Sequence, residues 1–160
     1  MMRLSDMVGN CLAEIREIMP WNLVERMQEN PGLLILDVRE PAEYHSMHIA
    51  GSILVPRGVL ESACEWGYED TVPELVGARE REVVVVCRSG RRSVLAAYTM
   101  QQLGYTDVVS LRSGLRGWND YEEPLVNGDG EPVDPDEADR FFLSKVRPDQ
   151  LAPARKSGSA

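Results

Sequence analysis

Cys87 ends an all-apolar run, Val83-Val84-Val85-Val86, and is followed by Arg88-Ser89-Gly90-Arg91-Arg92-Ser93. Four consecutive β-branched residues read as a strand buried on both faces, the habit of parallel sheets. The helical pattern from Val94 to Met100 follows the loop. This order sets Cys87 at the carboxyl end of a strand, where open α/β sheets place their ligands. Loop amides and the amino end of the helix then face its sulfur, which favours thiolate over thiol. A thiolate is a nucleophile. The cluster Arg88, Arg91 and Arg92 beside it suits a small anionic ligand. Gly90 supplies the positive φ or the close approach that a loop curling round a sulfur requires.

The rest of the chain bounds that chemistry. At 160 residues it is one domain with some length to spare. An apolar fraction of 43% is enough for a core, and no apolar run nears the ~20 residues of a membrane span. The start, Met1 to Asp6 and on through Glu14, Arg16 and Glu17, lacks the apolar segment of a secretory signal, so the expected location is cytoplasmic. Cys11, Cys64 and Cys87 are an odd number with no CxxC, and His45 and His48 are the only histidines. Neither a disulfide framework nor a structural metal site is expected, and no cofactor is called for. A net charge of −9 argues against a nucleic-acid partner or an anionic membrane surface. Of the 17 basic residues only Lys145 and Lys156 are lysines, and three of the 15 arginines lie in the cysteine loop.

The elements that must position the loop can be read in order. Leu4, Met7, Val8, Cys11, Leu12, Ile15 and Ile18 have the spacing of one helix with a buried stripe, on which Cys11 is core filler. Pro20 opens a second helix, Trp21 to Glu29, and Asn30-Pro31-Gly32 is a turn. Leu33 to Arg39 reads as a strand, Ala42 to Met47 as a helical turn or two, and Ile53 to Pro56 as a short strand. Arg57 to Gly77 reads as a helix and a long loop carrying Cys64, Trp66 and Tyr68. After the helix to Gln102 and its stop at Gly104 come a strand, Asp107 to Leu111, and a final short turn or helix, Gly114 to Asn119. Beyond Pro124 the composition changes to a linker, an acidic helix from Asp134 to Val146 capped by Asp134, and a frayed tail from Arg147 to Ala160. Phe141, Phe142 and Leu143 give the acidic helix a face to bury on the domain or on a second subunit, as in a homodimer. The alternation of helix and strand predicts an α/β fold with a mainly parallel sheet.

Three stretches resemble the single-domain rhodanese family of sulfurtransferases. Asp37-Val38-Arg39-Glu40-Pro41-Ala42-Glu43-Tyr44, with His48-Ile49-Ala50-Gly51-Ser52-Ile53 and Pro56, is similar to its amino-terminal signature. Cys87-Arg88-Ser89-Gly90-Arg91-Arg92-Ser93 is similar to its active-site loop. Gly104-Tyr105, Val108, Leu111, Gly114-Leu115 and Trp118 are similar to its carboxyl-terminal signature. Met47 departs from the family, which usually has glycine before the histidine, and a local change of backbone is expected there. The resemblance implies a five-stranded, mainly parallel sheet flanked by helices in residues 18–126. Residues 1–17 then form a helical extension, and 127–160 a linker, short helix and flexible tail.

The resemblance also implies a role for each loop residue. Cys87 would take sulfane sulfur from a donor such as thiosulfate as a persulfide. It would pass that sulfur to a thiophilic acceptor: cyanide in vitro, a thiol or a small sulfur-relay protein in the cell. Backbone N–H groups of residues 88–92 would surround the bound sulfur, and Arg88, Arg91 and Arg92 would assist an anionic leaving group. Arg88 can instead face outward as a gate, and Arg92 can pair with an acid of the fold. Ser89 and Ser93 have hydroxyls that can reach the persulfide, although Ser93 is read first as the cap of the following helix. Asp37 and Arg39 would brace the loop by ion pairing. Cys64 can resolve the persulfide if its segment folds over the loop, and is otherwise an incidental buried thiol. His48 is read as structural and His45 as exposed. Two other readings compete: a persulfide carrier with little turnover, and a cysteine-dependent phosphatase or arsenate reductase. The second fits poorly, because Arg92 follows Cys87 after four residues rather than five and Val86 stands where those enzymes have histidine.

Overall fold

In the computed structural model, which describes residues 1–154, Val83, Val84, Val85 and Val86 are all fully buried. They lie in strand β4 (Glu82–Val86), the centre of a five-stranded parallel sheet. Its other strands are β1 (Glu17–Ile18), β2 (Leu34–Asp37), β3 (Ile53–Leu54) and β5 (Asp107–Leu111), in the order β1-β5-β4-β2-β3. Successive side chains of a strand point to opposite faces. Val83 and Val85 therefore join a core with Leu34, Leu36 and Val108 on one face, while Val84 and Val86 join Ile35, Val109 and Leu111 on the other.

Helices α4 (Leu60–Ala63), α5 (Pro73–Val76) and α6 (Arg91–Gln102) cover the first face, and α1 (Leu4–Cys11) packs against α6. Helices α2 (Pro20–Glu29), α7 (Gly114–Asp120) and α8 (Pro135–Phe141) cover the second through Leu23, Leu115, Trp118, Ala138 and Phe142. A further short helix, α3 (Pro41–Ser46), follows β2. From β2 the chain passes to β3 on one side, and from β4 to β5 on the other. The connections diverge above the carboxyl ends of β2 and β4, which opens a crevice where Cys87 sits.

The first helix is shorter than its apolar spacing predicts. It stops at Cys11, and Ile18 belongs to β1, which pairs with Ser110 and Leu111 of β5. Residues three apart share a face on a helix but lie on opposite faces of an extended chain. Ile15 accordingly packs in one core and Ile18 in the other.

The acidic helix is also shorter. Asp134 caps α8 by accepting from the N–H groups of Asp136 and Glu137, but the helix ends at Phe141 instead of Val146. The carbonyls of Phe142 and Leu143 accept from Arg88 Nη2 at 2.7 and 3.2 Å, which meets acceptors a longer helix would have satisfied internally. Phe142 is buried against the domain itself. The expected frayed tail is described only to Ala154, with a single 3-10 turn at Pro148–Gln150; its last six residues, 155–160, lie outside the described residues. No helix among the described residues is long and apolar enough to cross a membrane.

Candidate active site

Cys87 follows β4 directly and is 1% exposed. Its Sγ accepts from the N–H of Gly90 at 3.1 Å and of Ser93 at 3.3 Å. The thiol donates to Ser93 Oγ at 3.3 Å, and that hydroxyl in turn shares a 2.8 Å hydrogen bond with Ser110 Oγ of β5. Ser93 is not the helix cap. The N-cap of α6 is Gly90, with φ +94, and Ser93 occupies the first turn with its side chain fully buried against the sulfur. The turn that glycine permits aims the first amides of a 12-residue helix at Cys87, where the helix end attracts negative charge.

A second glycine holds the loop from behind. Gly114, at φ +58, lies so close to the loop that a Cβ there would come 2.6 Å from the Arg88 carbonyl and nearer still to that of Cys87. With only hydrogen at this position, Leu115 N–H donates to the Cys87 carbonyl at 2.8 Å and Arg116 N–H to the Arg88 carbonyl at 3.0 Å.

The three loop arginines divide. Arg91 is exposed, as is Ser89. Arg88 reaches to the carbonyls after α8. Arg92 makes a two-pronged ion pair with Glu43 of α3, both bonds 2.9 Å. Burial pushes the Glu43 carboxyl up, but the hydrogen bonds from Arg92 and from the Glu40 backbone more than reverse this, and its net shift is downward. The same pairing holds the Arg92 guanidinium above its ordinary value.

A carboxyl lowered by folding stabilises the fold at pH values above its unfolded value and loses that contribution as pH falls through the folded one. The advantage of the native protein over Glu43→Gln is expected to be about 1 kcal/mol at neutral pH, since both side chains are partly solvated. It declines as pH drops below the carboxyl's ordinary 4.5. Urea unfolding of both proteins across pH 3 to 7, roughly spanning that titration, measures it.

Asp37 and Arg39 are fully buried beside the crevice and pair with each other. Arg39 donates from Nε to Asp37 Oδ1 at 3.0 Å and from Nη2 to Oδ2 at 2.8 Å. Nη2 also donates to the Met47 carbonyl at 2.7 Å. The pair thus staples the end of α3 to β2. Among the described residues it makes no hydrogen bond to the cysteine loop, which Arg92 and Glu43 tie to α3 instead. Met47 has φ −167, an extended backbone open to any residue, and its side chain is buried in the core. His48 stacks on Tyr44 at 3.7 Å, with Nδ1 2.8 Å from the Tyr44 carbonyl. His45 is exposed.

Cys64 is fully buried and reduced, and packs in the core with Leu60 and Ala63. Burial pushes its thiol up, partly offset by a hydrogen bond with Tyr105. Trp66 and Tyr68 are exposed. No group of histidine, cysteine, aspartate and glutamate that could hold a metal ion occurs among the described residues.

Two members of the site escape a reading by motif. Glu43 lies inside a stretch quoted for its resemblance, but nothing in its spacing assigns it to Arg92. Ser110 left a clearer signal: a serine in the run Val108-Val109-Ser110-Leu111 must find a polar partner when buried.

Comparison with known proteins places this architecture. The Rhodanese-like domain family matches residues 21–121. A sulfurtransferase of Allochromatium vinosum is 32% identical over 117 residues, covering 72% of this chain and 99% of that protein. A Bacillus subtilis protein named "Putative sulfur carrier protein YrkF" is 34% identical over 94 residues, 59% of this chain, which spans only 45% of that relative. A solved structure from Rhodopseudomonas palustris, of unknown function and described as a possible tyrosine phosphatase, has a TM-score of 0.69 at 25% identity over 77% of this chain and 93% of its own. The family match runs from α2 to just past α7 and so takes in Cys87, its loop and the glycine behind it: the chain belongs to the rhodanese family.

Proposed function

We propose that the protein is a sulfurtransferase that carries sulfane sulfur as a persulfide on Cys87. The observation that carries this reading is the convergence of two N–H groups and one hydroxyl on a single buried sulfur. These groups can hold a negative sulfur without a titrating base: when the thiol ionises, the Ser93 hydroxyl turns to donate, with Ser110 donating to it from behind.

With thiosulfate as donor, the Cys87 thiolate attacks the sulfane sulfur. The S–S bond of the donor breaks, sulfite leaves with the electron pair, and the enzyme holds one extra sulfur. A nucleophilic acceptor then attacks that outer sulfur, forming thiocyanate if it is cyanide, and the thiolate returns. Two half-reactions of this kind give ping-pong kinetics. Arg88 and the exposed Arg91 are the cations available to the departing anion.

A phosphatase reading needs an arginine free to clasp a tetrahedral anion. Arg92, the residue nearest that role in the loop, spends its fork on Glu43. The four-residue spacing also suits a smaller cradle. The deciding experiment is mass spectrometry of the protein after incubation with thiosulfate, followed by release of thiocyanate on adding cyanide. The expected result is one added sulfur on the peptide containing Cys87, discharged by cyanide. No added sulfur, together with Cys87-dependent hydrolysis of an aryl phosphate, would reverse the assignment. Loading without turnover would make the protein a carrier for a protein acceptor.

A further inference from the structure

The carboxyl edge of the sheet carries two further arginines that the transfer of a small anion leaves unassigned. Arg112 follows β5 directly, and Arg116 lies in the first turn of α7. Their segment stands against the cysteine loop. A Cβ on Gly90 would come 3.2 Å from the Ser113 nitrogen and 3.3 Å from the Leu111 carbonyl, and the Arg116 N–H donates to the Arg88 carbonyl at 3.0 Å. Arg88, Arg91, Arg112 and Arg116 thus share two adjoining segments beside Cys87. Arg91, Arg112 and Arg116 are exposed, and among the described residues their guanidinium groups make no ion pair or hydrogen bond. Asp120 and Asp139 border the same hollow as Arg116, but Asp139 accepts from Asn119 at 2.6 Å instead.

This basic edge continues into an aromatic one. Ser113 borders a notch of about 280 Å³ whose walls include Trp21 and Tyr121. The two rings meet at 5.3 Å between centroids, tilted by 55°, yet remain 43% and 47% exposed. Gly117, without a side chain, helps keep the notch open, and Asp120 is the acid among its residues. Trp, Tyr and Arg are the side chains that carry most of the binding energy at protein interfaces. On a chain of net charge −9, unpaired guanidinium groups at one edge make a local field opposite in sign to that of the whole molecule. A donor such as thiosulfate has neither the reach to engage arginines on both segments nor an apolar surface for the rings.

Building on the sulfur-transfer reading, we propose that this edge docks the sulfur acceptor, and that the acceptor is a protein with acidic side chains around its thiol. Carboxylates of the partner meet Arg91, Arg112 and Arg116, and an apolar side chain of the partner enters the notch beside Trp21 and Tyr121. Charge complementarity of this kind speeds encounter and fixes orientation. In the transfer step the partner's thiolate attacks the outer sulfur of the Cys87 persulfide anion. The S–S bond breaks, Cys87 leaves as thiolate with the electron pair, and the partner holds the sulfur as its own persulfide anion, so atoms and charge balance.

The probes are synthetic peptides of equal length with a central Cys-Leu, flanked by Glu in one, Gln in another and Lys in the last. Discharge of the thiosulfate-loaded protein is followed as loss of the added sulfur from Cys87 in the mass spectrum, at equal thiolate concentration. At low salt the Glu peptide is expected to discharge the persulfide about tenfold faster than the Gln peptide, with the Lys peptide slowest, and the preference to fade by about 0.3 M salt. Because the side chains of Arg112 and Arg116 are exposed and bond to nothing among the described residues, an Arg112→Ser, Arg116→Ser variant keeps its fold. In it the Glu and Gln peptides are expected to come within about threefold of each other, while transfer from thiosulfate to cyanide stays within about twofold of native. Trp21→Ala is expected to slow the Glu peptide by about threefold or more. Binding is read separately, from the fluorescence anisotropy of labelled peptides with serine for cysteine on the Cys87→Ser protein, and is expected to follow the same order. No preference for the Glu peptide in either measurement, or a preference the double variant keeps, would overturn the docking surface while sulfur transfer itself stood. A dimer of the native protein in sedimentation that the double variant loses would give this edge to a second copy and overturn the proposal too. If thiosulfate never loads Cys87, the sulfur-transfer reading fails and the acceptor's role fails with it, whatever the anisotropy shows.

Discussion

Cys87→Ser is expected to lose sulfur transfer from thiosulfate to cyanide by at least about 10³-fold, with no added sulfur in the mass spectrum after exposure to donor. The loss is chemical rather than structural. Serine is nearly isosteric with cysteine, and its hydroxyl can still accept from Gly90 and Ser93 and meet Ser93 Oγ, the partners Cys87 now has. An alkoxide is far harder to form at neutral pH than a thiolate, and no general base contacts this position among the described residues. The contrast with Ser93→Ala isolates the cradle. That change removes one of three polar contacts to the sulfur and leaves Ser110 Oγ without its partner, but both backbone N–H donors stay. A loss of about tenfold is expected there, as for one donor among several. Equal losses in the two variants, with the fold intact by circular dichroism, would mean that the Ser93 hydroxyl is as necessary as the sulfur and that the two backbone N–H donors alone do not sustain the cradle.

The strand-cysteine-helix core of the site is legible in sequence because its signals are local. Four valines can only be buried on both faces, and the residue after them must emerge at the sheet's carboxyl edge. Gly90 marks the one backbone turn with positive φ that lets α6 begin at Arg91. What the sequence does not reveal depends on contacts between distant segments. Arg88 reaches across 54 positions of chain to the Phe142 carbonyl, and Arg92 reaches 49 to Glu43. Neither pairing has a periodicity. The apolar spacing from Leu4 to Ile18 is ambiguous in principle, since Ile15 and Ile18 satisfy a helical stripe and also the two faces of a sheet edge. Pairing with β5 decides for the strand at Glu17 and Ile18. The early end of α8 likewise goes with a distant contact, since Arg88 donates to the carbonyls of Phe142 and Leu143 just past it.

The largest effect on stability is expected from Asp37→Asn. Both Asp37 and Arg39 are 0% exposed, and the carboxylate accepts from Arg39 Nε, Nη2 and backbone N–H. Replacing it with a neutral amide leaves a buried guanidinium with two neutral acceptors, the amide oxygen and the Met47 carbonyl, no compensating charge, and Nη1 already lacking a partner among the described residues. Removing one member of a buried ion pair costs about 3–5 kcal/mol, because the remaining charge is neither hydrated nor compensated. For a chain of this length that corresponds to a fall in Tm of roughly 10 °C. The double change Asp37→Leu, Arg39→Met removes both charges and keeps apolar volume, and is expected to recover most of the loss, to within about 2 kcal/mol of the native protein. Urea and thermal unfolding of the three proteins decide the matter; a cost below about 1 kcal/mol for Asp37→Asn would show that water reaches the pair. The double variant separates stability from function. Arg39 Nη2 fixes the Met47 carbonyl just past α3, and α3 carries the Glu43 that grips Arg92. A variant that is stable but transfers sulfur more slowly would show that the buried pair sets where α3 stands, and through Glu43 and Arg92 the shape of the loop around Cys87.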